Sequence, residues 1–171
     1  LNEGDACDPA SDTATCADGL VCLDDGTGNG DDVCSPPPVG DACENPIQLS
    51  GTGGTETGDD ANGFNDDIDL DADGCTHFSS GGPDVFYAIT IPAGETLSAT
   101  LQPTGFDAAL YIIDACPFSS AGQCVAGADI GFSGEPENVT FANATGDDLP
   151  VFLVADGFLS GGPYTLTWAV Q

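Results

Sequence analysis

The chain has 171 residues, 29 of them acidic, and its formal net charge is −29 because it contains no lysine or arginine. Nucleic acids and anionic membrane surfaces are excluded as partners, since both require a basic surface that this chain lacks. No apolar run approaches the roughly 18–20 residues of a membrane span, so no span is expected. Hydrophobic residues make up 40 % of the chain and argue against disorder. An ordered chain of this charge needs cations around it, although an acidic surface also suits a protein adapted to brine.

The eight cysteines are an even number and predict four disulfides formed in an oxidising, extracellular or cell-surface location. A zinc site is disfavoured because no CxxC pair occurs and His77 is the only histidine. The sequence begins at Leu1 without a signal peptide, which we interpret as a processed end or as a boundary within a longer protein.

Residues 1–35 are the first predicted unit, a cysteine-rich module too small to bury a core without disulfides. Four cysteines allow three connectivities. The run CADGLVC at residues 16–22 resembles small cysteine-knotted modules of secreted proteins. That resemblance implies that the first cysteine pairs with the third and the second with the fourth, giving Cys7–Cys22 and Cys16–Cys34.

A proline-rich linker is predicted over residues 36–40, and it leads into a second unit over residues 41–171. In this unit, residues 96–102 and 164–170 alternate apolar side chains with threonine or serine, which is the period of a half-buried strand. Trp168 is expected in the core. Further strands are predicted at residues 84–90, 107–113, 138–141 and 149–155. Short strands separated by turn signals, without a helical period, predict an all-β, antiparallel β-sandwich.

Two long segments of the second unit carry a family resemblance. Residues 82–114, GPDVFYAITIPAGETLSATLQPTGFDAALYIID, and residues 151–170, VFLVADGFLSGGPYTLTWAV, resemble the bacterial pre-peptidase C-terminal domain. The resemblance extends over about residues 41–170. It implies a jelly-roll-like β-sandwich that accompanies secreted peptidases and other exported proteins. Some members of the family bind calcium or an extracellular polymer, and the family offers no catalytic residues to carry over.

The four remaining cysteines lie in this second unit. We expect Cys43 to pair with Cys75 and so tie the leading segment to the next strand region. Cys116 and Cys124 bracket the residues PFSSAGQ and are expected to form a local staple around a hairpin loop.

Seven aspartates lie within the fifteen residues 59–73. In an extended strand, alternate aspartates project from one face and the apolar residues between them from the other. A divalent cation would reverse their mutual repulsion, and Ca²⁺ suits the position because it takes roughly six to eight oxygen ligands in flexible geometry. The predicted ligands are Asp66, Asp67, Asp69, Asp71 and Asp73, with Asp59, Asp60 and Asn65 as further candidates. The alternative is a solvated acidic loop with loosely held counterions. An EF-hand is disfavoured because Ser80 stands where its final glutamate belongs.

A second acidic set lies in the cysteine-rich module, at residues 23–32. Its glycines permit tight turns, which would bring four further candidate Ca²⁺ ligands together: Asp24, Asp25, Asp31 and Asp32. A flexible loop is the alternative interpretation.

Catalysis is not expected. His77 has Ser79, Ser80 and Asp84 close to it in sequence, but such close residues rarely form a hydrolase triad, and no oxyanion-hole motif accompanies them. Aspartates at predicted strand ends are expected to cap turns rather than bind metal; they are Asp84, Asp107 and Asp156.

These patterns predict a non-catalytic, extracellular structural or adhesive module, a calcium-stabilised subunit of a self-assembling cell-surface fibre or layer. Copies of the chain cannot attract each other through lysine–aspartate pairs, so self-association requires apolar contacts, strand pairing or shared cations. Both units also open with the same residues, GDAC, as units in series do. The alternative, favoured by the family resemblance, is an accessory C-terminal domain of a secreted peptidase or other hydrolase, involved in export or substrate binding.

Overall fold

The structure is a computed structural model that describes residues 1–7, 16–24, 32–60, 64–65, 68–70 and 74–171. Within these ranges the chain forms β-strands and one turn of 3-10 helix at Ala121–Gln123. None of the described residues forms a helix that is long and apolar enough to cross a membrane. The prediction of an all-β fold is confirmed.

The first sheet consists of three short antiparallel strands in the order β1-β3-β2. They are β1 (Ala6–Cys7), β2 (Val21–Asp24) and β3 (Asp32–Ser35). The disulfides Cys7–Cys22 and Cys16–Cys34 hold this sheet, and both pairings are confirmed as predicted. Because so few residues cannot bury a large core, these covalent links replace much of the apolar packing.

Two larger sheets follow. Their strands are β4 (Ile47–Gln48), β5 (Gly53–Asp59), β6 (Val85–Ile91), β7 (Thr96–Pro103), β8 (Ala108–Ile113), β9 (Cys124–Ala128), β10 (Glu137–Ala142), β11 (Leu149–Gly157) and β12 (Pro163–Val170). One sheet has the order β10-β7-β12-β5 and the other β4-β6-β11-β8-β9. Pairing is antiparallel throughout, except that β4 runs parallel to β6.

The order of β5 to β12 makes the sandwich a jelly roll. From β5 onward every connection except β8–β9 crosses from one sheet to the other. Two four-stranded layers linked in this way are the jelly-roll arrangement, with β4 added at one edge. The jelly-roll-like β-sandwich predicted from the sequence is therefore present.

The main core lies between the two large sheets. The inward residues of β7 and β12 are buried in the alternating pattern that the sequence predicted, and Trp168 belongs to this core. The hydroxyls of Tyr87 on β6 and Tyr164 on β12 lie 2.7 Å apart and join the two sheets by a buried hydrogen bond. The polar atoms of these rings are thereby satisfied within the core.

Strand β5 was not predicted, because its sequence GGTETGD carries no apolar alternation. The structure explains its glycines. Trp168 is paired with Gly54 and Tyr164 with Gly58, and each ring packs against the bare backbone of its partner. A side chain at either glycine would collide with the ring. The strand is thus stabilised by aromatic residues on its neighbour.

The outer face of the five-stranded sheet is also buried. Every residue of β8 is buried, and a second core contains Phe86, Tyr111 and Ile113. Ile68 and Leu70, from the acidic stretch, cover this face and are each only 1 % exposed. Asp69 between them is exposed, so the predicted alternation is confirmed over these three residues.

Two predicted disulfides are wrong. The structure pairs Cys43 with Cys116 and Cys75 with Cys124, and not Cys43 with Cys75 or Cys116 with Cys124. Cys43 and Cys75 both belong to segments that pack on the outer face of the sheet. Each is therefore bonded to the β8–β9 region beneath it, and the two disulfides staple the covering segments to the sheet.

The Cys43–Cys116 disulfide closes a sequence separation of 73 residues. In the chain-entropy model, a loop of this size contributes about 4 kcal/mol to the free energy of unfolding. We therefore expect the double variant Cys43→Ser, Cys116→Ser to lose most of that amount in guanidinium unfolding. Peptide mapping without reductant checks the pairing directly, and a cross-linked peptide that joins Cys43 to Cys75 would contradict the structure.

Candidate functional site

Four connections meet at one end of the jelly roll: β5–β6, β7–β8, β9–β10 and β11–β12. Hydrogen bonds tie them together. The Gly162 N–H donates to Asp60, the Phe158 N–H to the Asp107 carbonyl, and the Gly134 N–H to the Phe106 carbonyl. We call this region the loop end. Loops placed on a rigid scaffold are the usual position of binding residues.

A cavity of about 430 Å³ opens at the loop end, and we call it the phenylalanine pocket. Large apolar side chains line it and are exposed to unusual degrees: Phe78 by 55 %, Ile130 by 80 %, Phe132 by 76 % and Phe158 by 47 %. Single exposed apolar residues are common on proteins, but several around one cavity indicate a binding surface.

Carboxylates lie beneath this apolar rim. Asp107 and Asp129 line the pocket, and Asp107 Oδ1 is buried without a hydrogen-bond partner. Glu137, only 1 % exposed, accepts N–H bonds from Ile130 and Gly131 through Oε1, whereas its Oε2 is buried and has no partner. Burial raises the pKa of Asp129 to about 6, and the charges of Glu137 and Asp107 act in the same direction.

Among the residues close to His77 in sequence, Ser79 lines the pocket with it, whereas Ser80 and Asp84 do not belong to the lining. His77 lines the pocket with Ser79, and its backbone has a positive φ of 66°. Ser80 is fully buried, and its hydroxyl has no hydrogen-bond partner, so His77 does not activate it. Asp84 accepts its bonds from Ile68 and Tyr111 instead.

Asp60, a further candidate for metal binding, is fully buried at the loop end. Its Oδ1 accepts the Gly162 N–H at 2.6 Å, and its Oδ2 is buried without a partner. Burial raises the pKa of Asp60 to about 6; the Gly162 N–H opposes this increase, and the charge of Asp59 adds to it. Asp60 thus joins the β5–β6 connection to the β11–β12 connection. Its second oxygen is left without a hydrogen bond in the described structure, which is unfavourable for a buried polar atom.

Other buried carboxylates anchor the acidic stretch. Asp41 accepts hydrogen bonds from the backbone and side-chain nitrogens of Asn65, at 2.7 and 2.9 Å. Asp84 accepts the Ile68 N–H at 2.7 Å. The Asn65 nitrogens therefore serve to fix the chain. Asp84 fixes the same stretch through a long-range bond to Ile68, whereas a turn-capping role was predicted for it.

A tyrosine links Asp84 to a second buried aspartate. The Tyr111 hydroxyl lies 3.1 Å from Asp84 Oδ1 and 3.0 Å from Asp156 Oδ2. Burial, together with these two carboxylates, raises the pKa of Tyr111 well above its ordinary value. The hydroxyl carries one proton, so it can donate to one carboxylate at a time.

The structure tests only part of the predicted calcium site. Asp59 and Asp69 are exposed, and Asp32 lies directly opposite Asp24 in the pairing of β2 with β3. In the part of the chain that the structure describes, each set of three potential ligand atoms within 4.8 Å contains disulfide-bonded cysteines. The calcium site stays a prediction, since the other predicted ligands lie outside the described residues: Asp25, Asp31, Asp66, Asp67, Asp71 and Asp73.

The sequence patterns did not predict the phenylalanine pocket, because the predicted sites rest on runs of acidic residues. A signal was present. Ile130 and Phe132 stand in a glycine-containing segment between two strands, and Phe158 and Leu159 stand in another. Large apolar residues grouped in such segments can form an exposed apolar surface.

No family model matches the sequence, and no curated protein matches it. Among solved structures, the chain is similar to the crystal structure of Aeromonas hydrophila PliG, a periplasmic lysozyme inhibitor of g-type lysozyme. The identity is 12 % and the TM-score 0.47, over 73 % of this chain and 95 % of that one. This similarity is too weak to indicate a shared function.

The variant Asp60→Asn tests the electrostatics of the loop end. The native carboxyl keeps its proton up to about pH 6, whereas the unfolded one releases it near its ordinary pKa of 3.8. The native state therefore binds more protons between these values, and the free energy of unfolding falls as pH rises through this interval. Asparagine keeps the acceptor for Gly162 and removes the charge. We expect it to stabilise the protein by roughly 1–3 kcal/mol at about pH 7 and to have little effect at about pH 3.5.

Urea unfolding followed by the fluorescence of Trp168 across this pH range provides the measurement. Asp114→Asn, an exposed residue beyond the other end of β8, is the matched control and should leave the shape of the pH profile unchanged. A profile of Asp60→Asn that is parallel to the wild type would show that Asp60 does not titrate as described.

Proposed function

We propose that the protein is a non-catalytic extracellular module that acts by binding, as an adhesive or structural component, and that the phenylalanine pocket is its docking surface. The observation that carries this proposal is the exposure of Phe78, Phe132 and Phe158 around one cavity. Aromatic side chains at the surface lose hydration favourably when a partner covers them and are enriched at interfaces.

The covalent structure supports an extracellular or periplasmic location. All eight cysteines are paired in four disulfides, and such links persist in oxidising compartments. Secretion to the cell surface is part of the proposal.

Self-assembly is the second candidate function, and the conformation of the acidic stretch favours it. Ile68 and Leu70 are buried while Asp69 is exposed, so this part of the stretch presents carboxylate to the exterior. A second copy has no lysine or arginine with which to meet it. Association of copies through this face therefore requires a shared cation such as Ca²⁺, whose flexible oxygen coordination suits carboxylates from two chains.

Loss of the aromatic rim tests the docking surface. We expect protein-coated beads to be retained under flow on a neutral, alkyl-terminated monolayer, because it offers apolar surface to the exposed rings without attracting the 29 acidic residues. The triple variant Phe78→Ser, Phe132→Ser, Phe158→Ser should abolish this retention. The control, Leu1→Ser with Val39→Ser, removes exposed apolar residues outside the pocket and should behave as the wild type. Equal retention of the triple variant would refute the proposed docking surface.

Sedimentation velocity in CaCl₂ and in EGTA tests self-assembly. Larger species that form with Ca²⁺ and dissociate in EGTA are expected if cations bridge the acidic faces. Asp69→Asn, which removes an exposed carboxylate, should weaken that association, whereas Asp114→Asn should not. A monomer that is indifferent to both additives would contradict calcium-mediated assembly and leave the docking surface as the remaining function.

A further inference from the structure

The phenylalanine pocket combines two kinds of surface that usually occur apart. Its rim is aromatic, with the exposed rings of Phe78, Phe132 and Phe158. Its polar lining includes Asp107 and Asp129. An uncharged apolar ligand would satisfy the rings and leave the carboxylates buried without compensation, at a cost.

Two buried carboxylate oxygens, one in the pocket lining and one behind it, have no hydrogen-bond partner among the described residues. Asp107 Oδ1 is buried without a partner. Glu137 is 1 % exposed, and its Oε1 accepts two backbone N–H groups of the pocket wall. Its Oε2 is also buried without a hydrogen-bond partner. Its charge acts on Asp129, which lines the pocket. The chain has no lysine or arginine, so a guanidinium or side-chain ammonium donor for the pocket has to come from outside these 171 residues.

The geometry favours an organic cation over a metal ion. Among the residues that the structure places, Asp107, Asp129 and Glu137 do not bring their oxygens within 4.8 Å of one another as a group. A bound Ca²⁺ would gather several oxygens around itself at about 2.3–2.6 Å. The cavity of about 430 Å³ is also far larger than an ion and has the size of a site for a side chain or small molecule.

Building on the docking surface proposed above, we propose that the phenylalanine pocket binds an arginine side chain of a partner polypeptide. The guanidinium donates to Asp107 and Asp129, and its flat face and the apolar residues beside it pack on the phenylalanine rings. Arginine suits the pocket better than lysine, because guanidinium pairs with carboxylates through a planar fork, stacks on aromatic rings and is more weakly hydrated. A second copy of this chain cannot supply the residue, so the arginine belongs to a polypeptide segment other than these 171 residues.

An NMR titration with two short peptides tests this inference. The probes are acetyl-Leu-Arg-Leu-amide and the same peptide with citrulline, which has nearly the same shape and no charge. We expect the arginine peptide to bind about tenfold more tightly or better, to shift the amide resonances of residues 129–132, and to weaken as NaCl rises from about 20 to about 300 mM.

Charge removal gives the second arm. Asp107→Asn with Asp129→Asn should abolish the preference for arginine over citrulline. The matched control, Asp114→Asn with Asp147→Asn, removes the same charge from exposed positions at the other end of the jelly roll and should preserve it. Retention of the preference in the pocket variant would overturn the assignment of these carboxylates.

The outcomes separate this inference from the function on which it rests. Equal binding of the two peptides by the wild-type protein, or binding of neither, overturns arginine recognition. If CaCl₂ shifts the same resonances and displaces the arginine peptide, arginine recognition is also overturned, and the pocket is a metal site instead. The docking surface itself fails only if the phenylalanine variants leave bead retention unchanged.

Discussion

The structure depends on one constraint: a chain without lysine or arginine must satisfy its buried carboxylates without cationic side chains. The described residues include five buried carboxylates, at Asp41, Asp60, Asp84, Glu137 and Asp156. Backbone N–H groups, an asparagine amide and a tyrosine hydroxyl supply the donors that the structure shows for them. Isolated buried charges are costly, so these bonds, together with the raised pKa of Asp60, make the fold compatible with its composition.

The same bonds determine where the molecule can act. Asp60 joins the β5–β6 connection to the β11–β12 connection, and Glu137 holds the segment that carries Ile130 and Gly131. Carboxylates thus organise the loop end, where the jelly-roll topology collects four connections. The donors are fewer than the acceptors, and Asp60, Asp107 and Glu137 each keep a buried oxygen without a partner. An anionic, incompletely satisfied and apolar-rimmed end is a natural receptor for a cationic group.

The sequence predicts the fold well where burial alternates from one residue to the next along a strand. The alternation in β7 and β12 marks core and surface directly, and it also places Ile68, Asp69 and Leu70 correctly. Prediction from the sequence fails where contacts between segments distant in sequence determine the structure. Strand β5 depends on aromatic rings of β12, and the last two disulfides depend on segments stacked over β8 and β9. The pocket escaped prediction for the same reason, because its phenylalanines come from connections far apart in sequence.

The most direct test of the account is the titration of individual carboxyl carbons by ¹³C NMR in metal-free buffer. The constraint of a cation-free interior predicts that Asp60 and Asp129 titrate near pH 6, well above their ordinary value of 3.8. If both of these aspartates lost their protons below about pH 4.5, as solvated carboxyls do, the loop end would not be the buried anionic site described here.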